Sequence, residues 1–384
     1  MPDQRPHILM LCSWFPNRVQ PTNGNFVEKH IRLLTNDMRV GVLQVEYDPE
    51  MKSGKSRIEA TEEDSYPVQT IYFGSRASRL GRLWLRLSWF RWGIQNYIQQ
   101  HGKPQIVHVH VAMPALLIAY WIEMRYGIPY VLSCHSSGFL PISPRRYPWW
   151  QQRLLVWVAN RASRVCPVSN ALAKAWRQDG LRSPIQVVPN VVDTKLFSPP
   201  ETRPKAPPLR LLHISNFAPE AKNVDGILRV AARLKAARFP FTLTIAGDGD
   251  LATVEATAKQ LGLDDQHLQL KGTLSEFEVA EHMRSHHCFI LFSNYETQGI
   301  TAIEAVCCGL PVIATRVGGL PEIIDRPERG FLIEAGDEDE LCSVIQSFNP
   351  TSIPPPQPAK LPYTRENVKQ QLLAVYRHIL AGAS

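Results

Sequence analysis

The sequence contains no apolar run near the ~18 residues that a membrane-spanning helix needs, so no span is expected. Its opening, MPDQRPH, passes directly into the short apolar segment Ile8–Leu11, which reads as a strand rather than a signal peptide. No Cys-x-x-Cys pair occurs among Cys12, Cys134, Cys166, Cys288, Cys307, Cys308 and Cys342, which excludes a zinc ribbon or a thioredoxin-type motif. These cysteines sit mostly in apolar segments and read as small core hydrophobes, and an odd, unpaired set fits a reducing cytosol. No Gly-x-Gly-x-x-Gly follows the first strand, which argues against a dinucleotide-dependent dehydrogenase. Acids are scarce between 65 and 182, where 15 Lys and Arg meet only Glu123 and Asp179.

What is present points to a soluble, globular chain of two domains: 384 residues, 44% apolar and 20% charged. Charge is unevenly divided. Residues 1–195 hold 24 basic and 13 acidic side chains, and the remainder 18 and 22, so the first half calls for an anionic partner. Two Pro-rich stretches, Ser198–Pro208 and Asn349–Pro362, punctuate the chain. Short β-branched runs alternate with helical patterns on both sides of the first, the signature of parallel α/β sheets. His7–Trp14, Val40–Val45, Ile106–His110 and Tyr130–Cys134 read as strands of the first half. Leu209–Ile214, Phe241–Ala246, Leu268–Gly272, Cys288–Phe292 and Pro311–Ala314 read as strands of the second, with helices over Val224–Ala237, Ala252–Leu261, Glu276–His282 and Thr301–Cys308. In the closing TRENVKQQLLAVYRHIL, Val368, Leu372, Val375 and Leu380 fall roughly on one helical face. The expected domains are 1–197, with the terminal helix 364–384 packing back on it, and 209–348, joined by linkers 198–208 and 349–363. Two doubly wound sheets facing each other would put strand C-terminal ends, and their ligands, at a shared cleft.

The segment richest in chemistry is Ser293–Ile324, SNYETQGITAIEAVCCGLPVIATRVGGLPEII. A buried strand ends in a polar loop, and a helix begins near Gly299, where free N–H groups and the dipole attract anions. Gly299 lets the backbone approach a phosphate closely. Glu304, inside that helix, can accept two hydroxyl hydrogen bonds from a ribose. Glu296 lies in the loop before it, where a sugar would sit, and Gly318–Gly319 supply a second turn. The same pattern is met by a helix with a solvated Glu and ordinary glycine turns at strand ends. Spacing does not choose between them.

The segment closely resembles the Glu-x7-Glu signature of GT-B glycosyltransferases, in particular the large retaining family 4. Glu296 and Glu304 stand eight apart, Glu304–Ala314 supplies the Glu-Ala-x-x-x-Gly-x-Pro-Val-Ile-Ala continuation, and Gly318–Glu322 the Gly-Gly-x-Pro-Glu turn. Asn23–Leu34, Val131–Phe139, Val188–Phe197, Ile245–Asp250 and the closing helix extend the likeness over nearly the whole chain. The resemblance implies a two-domain fold of Rossmann-like halves and transfer of a sugar, with retained anomeric configuration, from a nucleotide diphosphate-sugar to a glycan or lipid-linked acceptor. It implies that Glu304 holds the ribose, that Glu296 contacts the sugar, and that amides near Gln298, Gly299, Ile300 and Thr301 meet the diphosphate. Lys222 matches the family's phosphate-binding lysine, and Gly24 lies in its first glycine loop. His135 matches a histidine placed near the reacting sugar. Asn216 stands where the family usually carries an arginine, which leaves more of the leaving-group charge to Lys222 and the amides.

Without the resemblance, Lys222 reads as solvated surface, Gly24 as a plain strand-to-helix turn and His135 as a structural group. His108 and His110 look like a metal pair but have no third ligand at sensible spacing, so zinc is not expected. Asp248–Gly249–Asp250 resembles a metal-binding Asp-x-Asp, yet turn chemistry explains it, and no metal cofactor is expected. Arg76, Arg79, Arg82, Arg86 and Arg91 interleave with Trp84, Trp89, Phe90 and Trp92, and 145–157 repeats the mixture. Such stretches suit an anionic membrane surface or a helix packing its aromatic side inward. No nucleic-acid motif accompanies them. The expected location is cytoplasmic, peripheral on the inner face of the cell membrane. A nucleotide-sugar epimerase of the same fold and a catalytically inactive sugar-nucleotide-binding partner are the competing functions.

Overall fold

A computed structural model describes residues 4–63, 66–203, 205–350 and 361–382. Most of the second Pro-rich stretch thus lies outside the described residues, as does Pro204 in the first. The chain divides into two compact units. One holds the residues up to Phe139, Tyr147–Val191 and the C-terminal helix; the other holds Leu140–Arg146 and Val192–Thr364.

The first unit is a seven-stranded sheet flanked by helices. Its strands are β1 (His7–Cys12), β2 (Arg39–Tyr47), β3 (Ser56–Glu63), β4 (Tyr66–Phe73), β5 (Ile106–His110), β6 (Tyr130–Cys134) and β7 (Arg164–Pro167), in the order β3-β4-β2-β1-β5-β6-β7. The helices are α1 (Asn25–Arg32), α2 (Arg79–His101), α3 (Ala115–Tyr126), α4 (Trp149–Ala159) and α5 (Asn170–Gln178). β1, β5 and β6 are buried along their whole length, which explains why they read as continuous apolar runs. The sheet is parallel as expected except at one edge, where β3 pairs antiparallel with β4. β3, SRIEATEE, has no buried alternation to announce it. Its charge instead blunts an exposed edge.

The second unit is a parallel six-stranded sheet: β8 (Leu209–Ile214), β9 (Phe241–Ala246), β10 (Leu268–Lys271), β11 (Cys288–Leu291), β12 (Val312–Thr315) and β13 (Gly330–Ile333), ordered β10-β9-β8-β11-β12-β13. Around it lie α6 (Pro219–Lys222), α7 (Val224–Ala236), α8 (Leu251–Gln260), α9 (Glu276–Ser285), α10 (Ile300–Cys307), α11 (Leu320–Ile323) and α12 (Glu338–Ser347). The unit begins at Val192, ahead of the Pro-rich stretch, because Val192 donates its N–H to the Tyr363 carbonyl at 3.0 Å and Phe197 packs with Leu361 and Tyr363.

The last helix, α13 (Arg365–Gly382), belongs to the first unit. Val368, Leu372, Leu373, Val375 and Tyr376 join the core beside Ile8, Met10 and Val40. Burying each such side chain is worth about 1.5–3 kcal/mol, enough to hold a helix far away in sequence against the sheet. All seven cysteines are buried and unpaired, and among the described residues no helix is long and apolar enough to cross a membrane.

Candidate functional site

In an open α/β sheet, ligands gather at the C-terminal ends of the strands where the winding reverses. In the second unit those strands are β8 and β11, whose following loops carry Lys222 and Glu296. The Asn294 side chain and backbone N–H tie the loops together, donating to the carbonyls of Glu220 (3.1 Å) and Ala221 (2.8 Å). Lys222 Nζ forms an ion pair with Glu296 Oε1, their side chains 19% and 10% exposed. Ser293 Oγ donates to the same Glu296 oxygen at 3.1 Å, and Thr315 Oγ1 braces the Ser293 carbonyl at 2.6 Å. Shielding strengthens the attraction but adds a desolvation cost, so removing either partner would leave the other charge uncompensated.

Gly318 completes this arrangement. Its φ is +52°, and a Cβ there would stand 1.6 Å from the Glu296 carbonyl oxygen, so only glycine lets the turn after β12 press on the Glu296 backbone. Gln298 and Gly299 are buried in the same loop, Ile300 and Thr301 open α10 half-buried, and Glu304 is buried within that helix. Gly299, at φ +93°, caps α10, and its carbonyl accepts the N–H of Ala302 at 3.0 Å. Asn216 does not join the pair. It is exposed, and its Oδ1 accepts from the Ala218 N–H at 3.4 Å. Asp250 caps α8, accepting from Thr253 N (3.3 Å) and Thr253 Oγ1 (2.6 Å), the turn chemistry expected of Asp248–Gly249–Asp250. Beneath the loops, His213 bonds the Ile290 carbonyl (2.9 Å) and Ser215 Oγ (2.8 Å). Burial pushes its imidazole down to about 4 despite the bond to Ile290, with nearby Lys222 adding to the effect.

In the first unit the winding reverses at β1 and β5, and β6 lies beside β5. Gly24 (φ +80°) precedes α1; a Cβ on it would lie 2.7 Å from the Trp14 carbonyl carbon, so the turn is fixed by close backbone packing. His135 follows β6 and packs tilted against Phe26, with ring centroids 4.5 Å apart. His110 ends β5, and His30 comes from α1. One ring nitrogen from each of His30, His110 and His135 lies within 4.8 Å of one from each of the others. In this group His110 is joined by His30 and His135 rather than by His108. His108 itself is fully engaged, with Tyr376 Oη at 2.6 Å and Ser133 Oγ at 2.9 Å. Burial first, then mutual repulsion, lowers His110 and His135 well below the ordinary imidazole range; burial lowers His30 to about 4. All three are therefore neutral near pH 7. Beside His110, Val111 adopts φ +66°, a region that a β-branched residue enters only under constraint. In the sequence, the only signal for His30 is its place in the family-like Asn23–Leu34.

Two doubly wound units, each with a polar cluster where its winding reverses, define the GT-B class of architecture. Comparison with solved structures bears this out. Sucrose-phosphate synthase from Thermosynechococcus elongatus superposes with a TM-score of 0.79 over 98% of this chain and all of that one, at 18% identity. Anabaena HepE in complex with UDP-glucose gives 0.66 over 98% of this chain and 99% of that one, at 19% identity. The sequence profile of glycosyl transferases group 1 matches 196–349, and that of glycosyltransferase family 4 matches 37–196. Together the two glycosyltransferase profiles run from 37 to 349, through both units. Among curated relatives, N-acetyl-alpha-D-glucosaminyl L-malate synthase of Bacillus anthracis is 29% identical over 62% of this chain and 64% of its own length. The MMP alpha-(1->4)-mannosyltransferase of Mycolicibacterium hassiacum is 31% identical over 58% of this chain and 56% of its own length. The alignment thus spans less than two thirds of either relative.

Proposed function

We propose that this protein is a retaining glycosyltransferase that moves a sugar from a nucleotide diphosphate-sugar to an acceptor hydroxyl in cell-envelope or surface polysaccharide synthesis. The observation that carries the reading is the shielded Lys222–Glu296 pair at the ends of β8 and β11, next to the opening of α10. A diphosphate arriving there would draw Lys222 away from Glu296 and free the carboxylate for hydroxyls of the transferred sugar. Glu304 would hold the ribose, and the N–H groups of Gly299, Ile300 and Thr301, assisted by Gln298, would meet the phosphates. The binding of UDP-glucose by the structurally similar HepE supports this donor class. Gly24 would approach the phosphates and the acceptor, and His135 would hydrogen-bond the sugar. Asn216 could add a hydrogen bond but no charge.

Transfer would proceed on one face of the sugar. The anomeric carbon–phosphate oxygen bond breaks as the acceptor oxygen bonds to that carbon, and the departing phosphate oxygen takes the acceptor proton. Positioning and charge stabilisation then carry catalysis. The engagement of Asp250 in a helix cap supports a reaction with no divalent ion held at the diphosphate by Asp248 and Asp250. A thermal-shift screen of nucleotide diphosphate-sugars tests the reading, since a ligand that binds only the folded state raises Tm. The correct donor raises it; a flat response across all donors would overturn the proposal. Donor turnover without added acceptor would favour an epimerase, and donor binding without turnover an inactive binding partner.

The acceptor side of the proposal includes an anionic membrane surface. Trp84 and Trp149 are each 71% exposed, and Trp92, Trp150 and Trp157 are also exposed, among arginines of α2 and α4. Exposed rings with basic neighbours suit a headgroup interface on the inner face of the cell membrane. The protein should sediment with anionic vesicles at low salt and less with neutral ones, and the double variant Trp84→Ser/Trp149→Ser should weaken this severalfold. Equal binding to both vesicle types would count against it.

A further inference from the structure

We propose that His30, His110 and His135 form a binding site for a transition-metal ion of borderline softness, such as Zn2+, inside the first unit. The three rings stand at the corners of a nearly equilateral triangle, with centroids 5.7, 6.0 and 6.1 Å apart. His110 Nδ1 and His135 Nε2 are 3.5 Å apart, at the outer limit for a hydrogen bond. Two imidazole nitrogens on one tetrahedral Zn2+, each at ~2.0–2.1 Å, lie roughly 3.4 Å from each other. His30 Nε2 bonds the Pro189 carbonyl at 3.1 Å, so it carries the proton and leaves Nδ1 with a lone pair. That Nδ1 is buried without a hydrogen-bond partner, whereas on His110 the unpartnered atom is Nε2 and the one facing His135 is Nδ1. A buried imidazole nitrogen with nothing to bond costs about 1–3 kcal/mol, and a bound ion is one of the few things that satisfies it.

The surroundings fit a ligand set as well. Metal-binding histidines typically donate their second nitrogen to a carbonyl or side chain that fixes the ring. Here the Pro189 carbonyl serves His30, and the Asn190 side chain lies beside His135. Three neutral nitrogen donors with no carboxylate select Zn2+, Co2+ or Ni2+ over Mg2+ and Ca2+, which prefer oxygen. A fourth position is left for water or an anion. All three ligands belong to the first unit, whereas Lys222 and Glu296 belong to the second. The inference rests on the three first-unit side chains alone and does not depend on the transferase reading.

The test uses the full chain, purified in chelator and freed of it. Zn2+ should remain at one equivalent after gel filtration and raise Tm, with a Kd in the micromolar range or below, while Mg2+ does neither. Co2+ should give the strong visible bands of a four-coordinate ion, a measurement that needs no variant. His30→Gln can keep the bond to Pro189 and should weaken Zn2+ binding about 100-fold, as should His110→Gln, while His282→Gln leaves it unchanged. Absence of stoichiometric Zn2+ from the wild-type protein overturns the proposal. So does unchanged Zn2+ affinity in both folded variants, or its loss in His282→Gln.

Discussion

The second unit gathers a charged pair, Lys222 with Glu296, at the strands where its winding reverses. The first gathers three uncharged imidazoles at the ends of β5 and β6 and on α1. The two differ in how a buried polar group is kept. A charge shielded from water persists only with a partner, and here loops 74 residues apart in sequence supply each other's. Neutral imidazoles need no counter-charge, so rings from three separate elements can crowd together once burial has removed their protons. The charged cluster is suited to receive and release a phosphate. The neutral one is suited to hold a sugar hydroxyl or an ion.

The largest expected effect lies on the charged side. Lys222→Ala removes the cation that would meet the leaving phosphate and strands Glu296, so kcat should fall about 100- to 1,000-fold. That fall is to be measured with whichever donor the thermal-shift screen identifies; an unchanged kcat would remove Lys222 from the reaction. Next come two variants that should separate the clusters by kinetic signature. Glu304→Gln should raise the Kd for the bare nucleoside diphosphate about tenfold, whereas His135→Ala should lower kcat about 10- to 100-fold and leave that Kd unchanged. Equal effects on both parameters would erase the division of labour.

Gly318→Ala should destabilise the protein by about 1–3 kcal/mol in urea unfolding, because the added methyl meets the Glu296 carbonyl and φ is already positive. Gly262→Ala, with open space around its Cβ position, should cost less despite a similar φ of +70°. The smallest effect is electrostatic. His213 is neutral when folded until about pH 4, whereas in the unfolded chain it protonates near 6.5. Its contribution is therefore intact above pH 6.5 and is lost as pH falls from there toward 4, by about 1.4 kcal/mol per pH unit. In His213→Gln the pH dependence of unfolding should shed one proton over that window; an unaltered slope would mean that His213 is protonated in the folded state.

Much of the second unit was legible in the sequence because its information is local. β8 and β9 fall on the expected residues, and the ends of α7, α8 and α10 differ from expectation by at most a single residue, since parallel strands buried on both faces leave apolar runs bounded by turns. β3 was not legible, because an exposed, charged edge strand carries no burial pattern.

By itself the sequence determined that there are two α/β halves, where the second half's glycines and acids fall, and the family to which they point. The halves follow from apolar runs alternating with helical patterns on both sides of Ser198–Pro208, and the family from motifs along the chain, densest between Glu296 and Gly319. Only the tertiary structure decided that Lys222 pairs with Glu296, that Gly318 presses on the Glu296 backbone and that His30, His110 and His135 converge. Those contacts join residues tens to more than a hundred positions apart, brought together by sheet order and core packing. Sequence spacing carries no trace of such contacts, because burial against the whole core, not any local pattern, fixes which strand ends become neighbours.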